Sequence, residues 1–146
     1  MRASSTLLNL CLCAALLASA CGVPEVGPSM SAGENCLTCH QGEVAPKWTV
    51  AGTVFHDPKA KPAAALTTAQ VVIIDSSGRT LTLRANEAGN FYTGEALEFP
   101  IRVEIQSGGK RMAMSASPPN GSCNFCHSLA PPPGEAIVPG RLFVPQ

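Results

Sequence analysis

This chain of 146 residues has no excess of charge of either sign, with Lys and Arg numbering 10 against 10 Asp and Glu, and no basic patch. Nucleic acid, whose binding draws on phosphate neutralisation, is therefore not expected as a partner. No apolar run beyond the first twenty residues approaches the length that crosses a bilayer. Ser, His and Asp fall in no arrangement suggesting a hydrolase, and no glycine-rich phosphate loop occurs. The sequence makes no case for a catalytic site, and the protein is expected not to be an enzyme. Between Trp48 and Ser115 no segment has a convincing helical period, which argues against a compact helical domain. Histidine is also scarce, at 3 positions, so where it falls is informative.

Two of the three histidines close the same short pattern: Cys36-Leu37-Thr38-Cys39-His40 and Cys123-Asn124-Phe125-Cys126-His127. Two thiols three positions apart with an imidazole directly after the second is the spacing of covalent c-type haem attachment. The chemistry explains the spacing. Cysteines at i and i+3 project from one turn of backbone, so both sulfurs reach the vinyl groups along one porphyrin edge. The next residue rises beneath the ring and offers a neutral imidazole nitrogen to iron. On this reading Cys36, Cys39, Cys123 and Cys126 form haem thioethers, His40 and His127 are the proximal iron ligands, and the cofactors are two covalently bound c-type haems.

Three other readings fit the cysteines. Taken together, the two pairs satisfy the ligand count of a single four-thiolate zinc site, which has no use for a histidine after each pair. A redox dithiol needs a βαβ context that is not found here. Paired structural disulfides would close only tiny loops and constrain the unfolded chain little.

The chain begins with a basic Arg2, an apolar run from Leu7 to Leu17 interrupted by Asn9, and the small residues Ala18-Ser19-Ala20. This is the plan of a cleaved export signal, residues 1–20, and it is too short to span a membrane. Cys21 directly after Leu16-Leu17-Ala18-Ser19-Ala20 resembles the lipobox of bacterial lipoproteins, which implies lipidation of Cys21 and anchoring in the cell envelope. That family prefers a branched aliphatic where Ala18 stands, so ordinary signal cleavage is the other route. Cysteine arithmetic favours lipid: of 7 cysteines, Cys11 and Cys13 leave with the signal, four fill the motifs, and Cys21 would otherwise be an odd thiol in an oxidising compartment. Removal of the signal leaves residues 21–146, enough for one domain, with acidic residues in excess by one.

Residues 21–34 are small and aperiodic and are expected to form a flexible tether, followed by the first attachment segment, 35–47, as a short helical turn. From Trp48 the pattern changes to short strands with turn punctuation. Thr49 to Phe55 reads as a strand, with Gly52 marking a bulge or a close backbone approach. His56 to Thr68 reads as a loop. Gln70 to Asp75, with four successive β-branched residues, reads as a strand covered on both faces, and Thr80 to Arg84 as a half-buried strand. Phe91 to Thr93, Ile101 to Gln106 and Lys110 to Ser115 complete the set, the last two joined by Ser107-Gly108-Gly109. Such a series implies an all-β fold: a single small β-sandwich over 48–116, flanked by short irregular or helical haem-attachment segments. The second attachment segment spans 117–130. A Pro-rich tail, 131–146, is expected to run extended, with Arg141 to Val144 adding an edge strand.

The run from Val50 to Ser115 resembles carboxypeptidase regulatory-like (prealbumin-like) sandwich domains. It does so at Ala51-Gly52-Thr53-Val54, Asp75-Ser76-Ser77-Gly78 and Asn86-Glu87-Ala88-Gly89-Asn90-Phe91. The two cysteine-histidine motifs separately resemble c-type cytochromes. The combination behind a lipoprotein signal is similar to outer-surface cytochromes of metal-respiring and myxobacterial relatives. It implies single-electron transfer to redox partner proteins or an extracellular electron acceptor, with membrane contact only through the N-terminal lipid and a place at the outer membrane. The runner-up is a non-enzymatic lipoprotein binding module with a four-cysteine structural zinc site. Peroxidase-like chemistry would need a vacant iron position.

With His40 and His127 taken as proximal ligands, His56 is the only histidine left for the far side of an iron. The other candidate distal ligands are Met30, Met112 and Met114, whose thioethers would raise the potential. The bland roles are a loop histidine at His56 and gap-filling in the sandwich at Met112 and Met114. Trp48, Phe91 and Phe99 read as core residues first, Phe125 as a ring at the second motif, and Arg141 as a solvated side chain.

Overall fold

In the computed structural model, residues 30–43, 45–130 and 139–145 are described. The expected signal, the lipidated Cys21 and most of the tether lie outside them, as do residues 131–138 of the tail. Two sheets of four strands face one another, so the all-β sandwich is what forms.

The first sheet is built around β1 (Val50–Phe55). One edge of β1 pairs antiparallel with β4 (Asn90–Thr93), with Gly52 opposite Phe91. Its other edge is shared end to end by two parallel pairs of residues, β7 (Gly121–Ser122) beside Val50 and Ala51, and β8 (Leu142–Phe143) beside Val54 and Phe55. The edge strand expected in the tail is therefore present. The second sheet runs β3-β2-β5-β6 and is antiparallel throughout: β2 (Gln70–Ile74), β3 (Thr80–Arg84), β5 (Arg102–Ser107) and β6 (Lys110–Ala113).

Between the sheets, Val50 and Val54 of β1 and Phe91 of β4 meet Val71 and Ile73 of β2 and Val103 and Ile105 of β5. Leu66, Ile101, Leu142 and Val144 close the rim. Each such side chain contributes roughly 1.5–3 kcal/mol by leaving water.

Three details differ from the sequence reading. β2, expected to be covered on both faces, alternates instead: Val71 and Ile73 are buried, while Val72 and Ile74 are half-covered. Val72 lies between Thr82 and Glu104, and Ile74 between Thr80 and Arg102, so neighbouring stems shade that face without sealing it. The strand buried at every position is β1. Its inner face points to the core, and its outer face, with Thr53 and Phe55, lies under the cysteine-histidine segments and Arg141. Met112 and Met114, expected as gap-fillers, stay 37% and 36% exposed: Met112 lies on β6, an edge strand with every residue on the surface, and Met114 follows it directly.

Candidate functional site

The two cysteine-histidine motifs adopt one local structure twice. In the first, Cys36–Thr38 forms a single 3-10 turn, closed by amides of Cys39 and His40 donating to Cys36 O. In the second, Cys123–Cys126 forms a single α turn, α1, closed by His127 N donating to Cys123 O at 2.9 Å. In each, the first thiol reaches back to the carbonyl two residues earlier: Cys36 Sγ to Glu34 O, and Cys123 Sγ to Gly121 O. The expected short helical turns are thus present at both motifs.

The histidines share an arrangement too. His40 Nδ1 lies 3.0 Å from Pro46 O, and His127 Nδ1 lies 3.0 Å from Gly140 O. A carbonyl oxygen only accepts, so each Nδ1 must carry the proton, and in the neutral ring Nε2 is left as a bare lone pair. Burial holds His127 below the usual histidine range, partly offset by its bond to Gly140, so the ring is neutral at pH 7. Its Nε2 is buried and meets no donor among the described residues. His40 Nε2 faces the thioether of Met30 at 3.3 Å. Two imidazoles, each clamped at Nδ1 by a backbone carbonyl, keep Nε2 as the ring nitrogen that an iron or other imidazole-binding metal takes.

The ring of His40 is further held by stacking on Trp48, with centroids 3.3 Å apart and planes 6° from parallel, and Trp48 stacks in turn on Tyr92 at 4.0 Å. Trp48, read as a core residue, is instead the backing of His40. Phe91 is in the core as expected, Phe99 packs against its margin, and Phe125 is exposed.

Both turns dock on the same strand. Asn124, between the cysteines of the second motif, is 3% exposed and joins them. Its Oδ1 accepts from Thr53 N at 3.0 Å. Its Nδ2 donates to Thr53 Oγ1 at 3.0 Å and to Glu34 O, just before the first motif, at 2.8 Å, and lies 3.9 Å from Cys36 Sγ. Ser122 Oγ donates to Asn35 Oδ1 across the same seam. Thr53 Oγ1 donates to Asn90 Oδ1 at 2.6 Å, and Asn90 Nδ2 donates to Met30 O at 2.7 Å. The second motif also sits tightly on β1: a Cβ added at Gly52 would come 2.8 Å from Cys123 Cβ and 2.7 Å from Phe91 Cζ. The close approach signalled by Gly52 is therefore the seat of Cys123.

Residues 30–34, read as the end of the flexible tether, are docked. Gly33 N donates to Thr53 Oγ1 and Gly33 O accepts from Arg141 Nη1, both at 2.9 Å. Gly33 has a φ of 89°, and a Cβ there would fall 1.7 Å from Arg141 Nη1, so only glycine fits. Arg141, read as solvated, is buried with its guanidinium 4.6 Å above the Phe55 ring. Through its Nη1 bond to Gly33 O and its contact with Phe55, Arg141 ties the tail to the segment before the first motif, although its buried Nε meets no acceptor among the described residues.

The thiols are not poised as nucleophiles. Burial, with the charge of Glu34 adding to it, pushes the Cys36 thiol up; burial and then neighbouring Cys36 push Cys123 up to about 12. A redox dithiol needs the opposite shift. Cys36, Cys123 and Cys126 are free, whereas Cys39 is disulfide-bonded to none of them. Among the described residues no three or more His, Cys, Asp and Glu side chains converge to hold a metal ion, which includes the four thiols of the zinc alternative.

Of the candidate distal ligands, the structure brings only Met30 to a motif histidine. His56 is exposed just beyond β1, and Met112 and Met114 lie at the edge of the opposite sheet. Sequence reasoning missed Thr53, Asn90 and Asn124, which look like ordinary strand and turn residues until the motifs meet. No helix among the described residues is long and apolar enough to cross a membrane. No protein-family model, curated protein or solved structure matches this chain, so the reading of the site rests on its residues and their geometry.

Proposed function

We propose that this protein is an envelope-anchored dihaem c-type cytochrome that passes single electrons between redox partners. The observation that carries the proposal is the repeated motif geometry. Each cysteine pair is followed by a histidine whose Nδ1–H is committed to a backbone carbonyl, leaving Nε2 for a metal. Cys36, Cys39, Cys123 and Cys126 would hold the porphyrins, and His40 and His127 would ligate iron. Bound haem supplies the one-electron ferric/ferrous couple.

The chain's own part is to position. Pro46 O and Gly140 O fix the ring orientation and raise the basicity of Nε2, as outer hydrogen bonds do for metal-bound histidines generally. The buried bonds among Thr53, Asn90 and Asn124 keep both turns on one strand, so domain motion does not vary their separation. Thioether formation adds S–H across a vinyl double bond, so an external dithiol, itself oxidised to a disulfide, would first have to reduce the disulfide at Cys39 to two thiols. Export and lipidation at Cys21, outside the described residues, would leave the domain tethered, with only that N-terminal lipid touching the outer membrane. Its partners would be other redox proteins or an extracellular acceptor, and no enzymatic turnover is proposed.

The test is an intact mass and a pyridine haemochrome assay on full-length protein matured in a host that attaches c-type haem. Two covalent haems per chain are expected, falling to one when Cys123 and Cys126 are both replaced by Ser. Fewer than two on the unaltered chain rejects the dihaem form. A colourless product that carries zinc favours the four-thiolate lipoprotein instead.

A further inference from the structure

We infer that the outer face of the second sheet, at its Gly108-Gly109 end, binds an acidic polysaccharide, one whose sugars carry carboxylates. Strand register builds the site. Gln70 of β2 lies opposite Arg84 of β3 on one side and Gln106 of β5 on the other, and Gln106 in turn lies opposite Arg111 of β6. Residues opposite one another share a face, and the adjoining Val71 and Ile105 are buried, so this row of four points to solvent. Strands lie about 4.8 Å apart, which puts two amides between two arginines over roughly 14 Å. At the hairpin the row runs into a cleft of about 350 Å³, lined by Thr68, Gln70, Gln106, Ser107, Lys110 and Arg111 around the glycine turn. The turn leaves the rim bare: Gly108 and Gly109 have φ of 56° and 78°, and a Cβ added at either would meet nothing within 4 Å.

The lining selects the ligand. It offers two hydroxyls, Thr68 Oγ1 and Ser107 Oγ at 2.9 Å from one another, two side-chain amides and two cations, with no aromatic or large apolar side chain. An apolar ligand has nothing to bury there. Hydroxyls and amides both donate and accept, which suits sugar hydroxyls, and the planar fork of an arginine suits a carboxylate. Charge points the same way. The strand residues of this face include Arg84, Arg102 and Arg111, with Lys110 at the cleft, against Glu104 alone. Glu104 Oε1 accepts from Gln106 Nε2 at 2.6 Å and lies 4.0 Å from Arg111 Nη1, whereas Arg84, Arg102 and Lys110 have no ion-pair partner among the described residues. These cations are scattered along the chain and form no basic run; the register gathers them. An anionic lipid surface matches less well, because the apolar Val72 and Ile74 of this face are half-covered by their neighbours and leave nothing to insert. Both cysteine-histidine motifs dock on the other sheet, so the site needs no haem.

The experiment is isothermal titration of the matured, full-length protein with polygalacturonate. Dextran serves as the neutral polysaccharide, inorganic polyphosphate as the plain polyanion, and phosphatidylglycerol vesicles, against phosphatidylcholine ones, as the anionic surface. Three variants accompany it: the double variant Lys110→Gln with Arg111→Gln, Gln70→Ala, and Lys59→Gln, whose lysine is exposed in the loop after β1. All replace surface or half-buried side chains, and far-ultraviolet circular dichroism checks that each is folded. Polygalacturonate should bind and dextran should not. The double variant should weaken that binding about tenfold or more, as loss of charge-assisted hydrogen bonds does. Gln70→Ala should weaken polygalacturonate while leaving polyphosphate unchanged, and Lys59→Gln should alter neither. No binding of polygalacturonate, or binding that the double variant leaves intact, overturns the inference. Polyphosphate bound as tightly as polygalacturonate overturns it in favour of charge alone, and a stronger, phosphatidylglycerol-dependent binding to vesicles overturns it in favour of a lipid surface.

Discussion

At the scale of single residues, the most informative side chain is Asn124, which occupies a place between the two cysteines where the motif itself asks for nothing. Its amide satisfies both Thr53 N and Thr53 Oγ1 and reaches Glu34 O, so one side chain serves a strand, its own motif and the other motif. Replacing it with alanine would strand the buried Thr53 N–H and leave the buried Thr53 Oγ1 without its donor from Asn124. Leaving such groups without partners costs about 1–3 kcal/mol each. Asn124→Ala is therefore expected to lower the melting temperature clearly, and Asn124→Asp not to rescue it, since a carboxylate cannot donate to Glu34 O. Thermal melts followed by far-ultraviolet circular dichroism check this; a melting temperature unchanged by the alanine would remove Asn124 from its place as the joint between motifs.

Among elements, the turn from β2 to β3 shows how a local motif sets acid stability. Asp75 Oδ1 accepts from Ser77 N, Ser77 Oγ and Arg79 N, and the Ser77 hydroxyl above all, with the backbone bonds behind it, holds the carboxyl below the usual aspartate range against the effect of burial. A folded-state value below the unfolded one means that the turn stabilises the fold above the unfolded pKa of about 4, and that this is lost as pH falls through the lower, folded value. Asp75→Asn should therefore be less stable than the unaltered chain at pH 7, and the difference should shrink below about pH 4. Urea melts at a series of pH values test the sign; a gap that widens on acidification contradicts it. The β4 and β1 elements act differently, through stacking: Tyr92 of β4 supports Trp48, which supports His40, so one sheet edge carries an aromatic backing to the first motif.

Considered as a whole molecule, the fold brings together two motifs 87 positions apart in sequence, because β1 is covered by both. The first sheet supplies the seat and the second sheet supplies only the other half of the core. If both motifs carry haem, the porphyrins start from turns that Asn124 joins, its amide reaching Glu34 O and lying 3.9 Å from Cys36 Sγ, and should interact. The expected outcome is a split, conservative Soret circular dichroism signal in the dihaem protein that disappears in the single-haem variant lacking Cys123 and Cys126. Two independent, additive Soret signals would mean that the rings lie apart despite adjacent attachment turns.

The sequence by itself determined what depends on neighbours along the chain. Alternating residues marked Thr80–Arg84 and Ile101–Gln106 as strands, the latter forming as Arg102–Ser107, glycines marked the turns, and cysteines three apart followed by histidine marked the two short helical turns. These are local properties, because side-chain direction repeats every two residues in a strand and one turn of backbone brings i and i+3 together. Only the tertiary structure decided which strand is buried on both faces, that Arg141 turns inward, and that Met30 is the methionine opposite His40. Each of these is set by partners many residues away: Thr53 needs Asn124, Phe55 needs Arg141, and Met30 needs Asn90. No local pattern encodes such pairings, since a buried polar side chain looks like a surface one until its partner arrives.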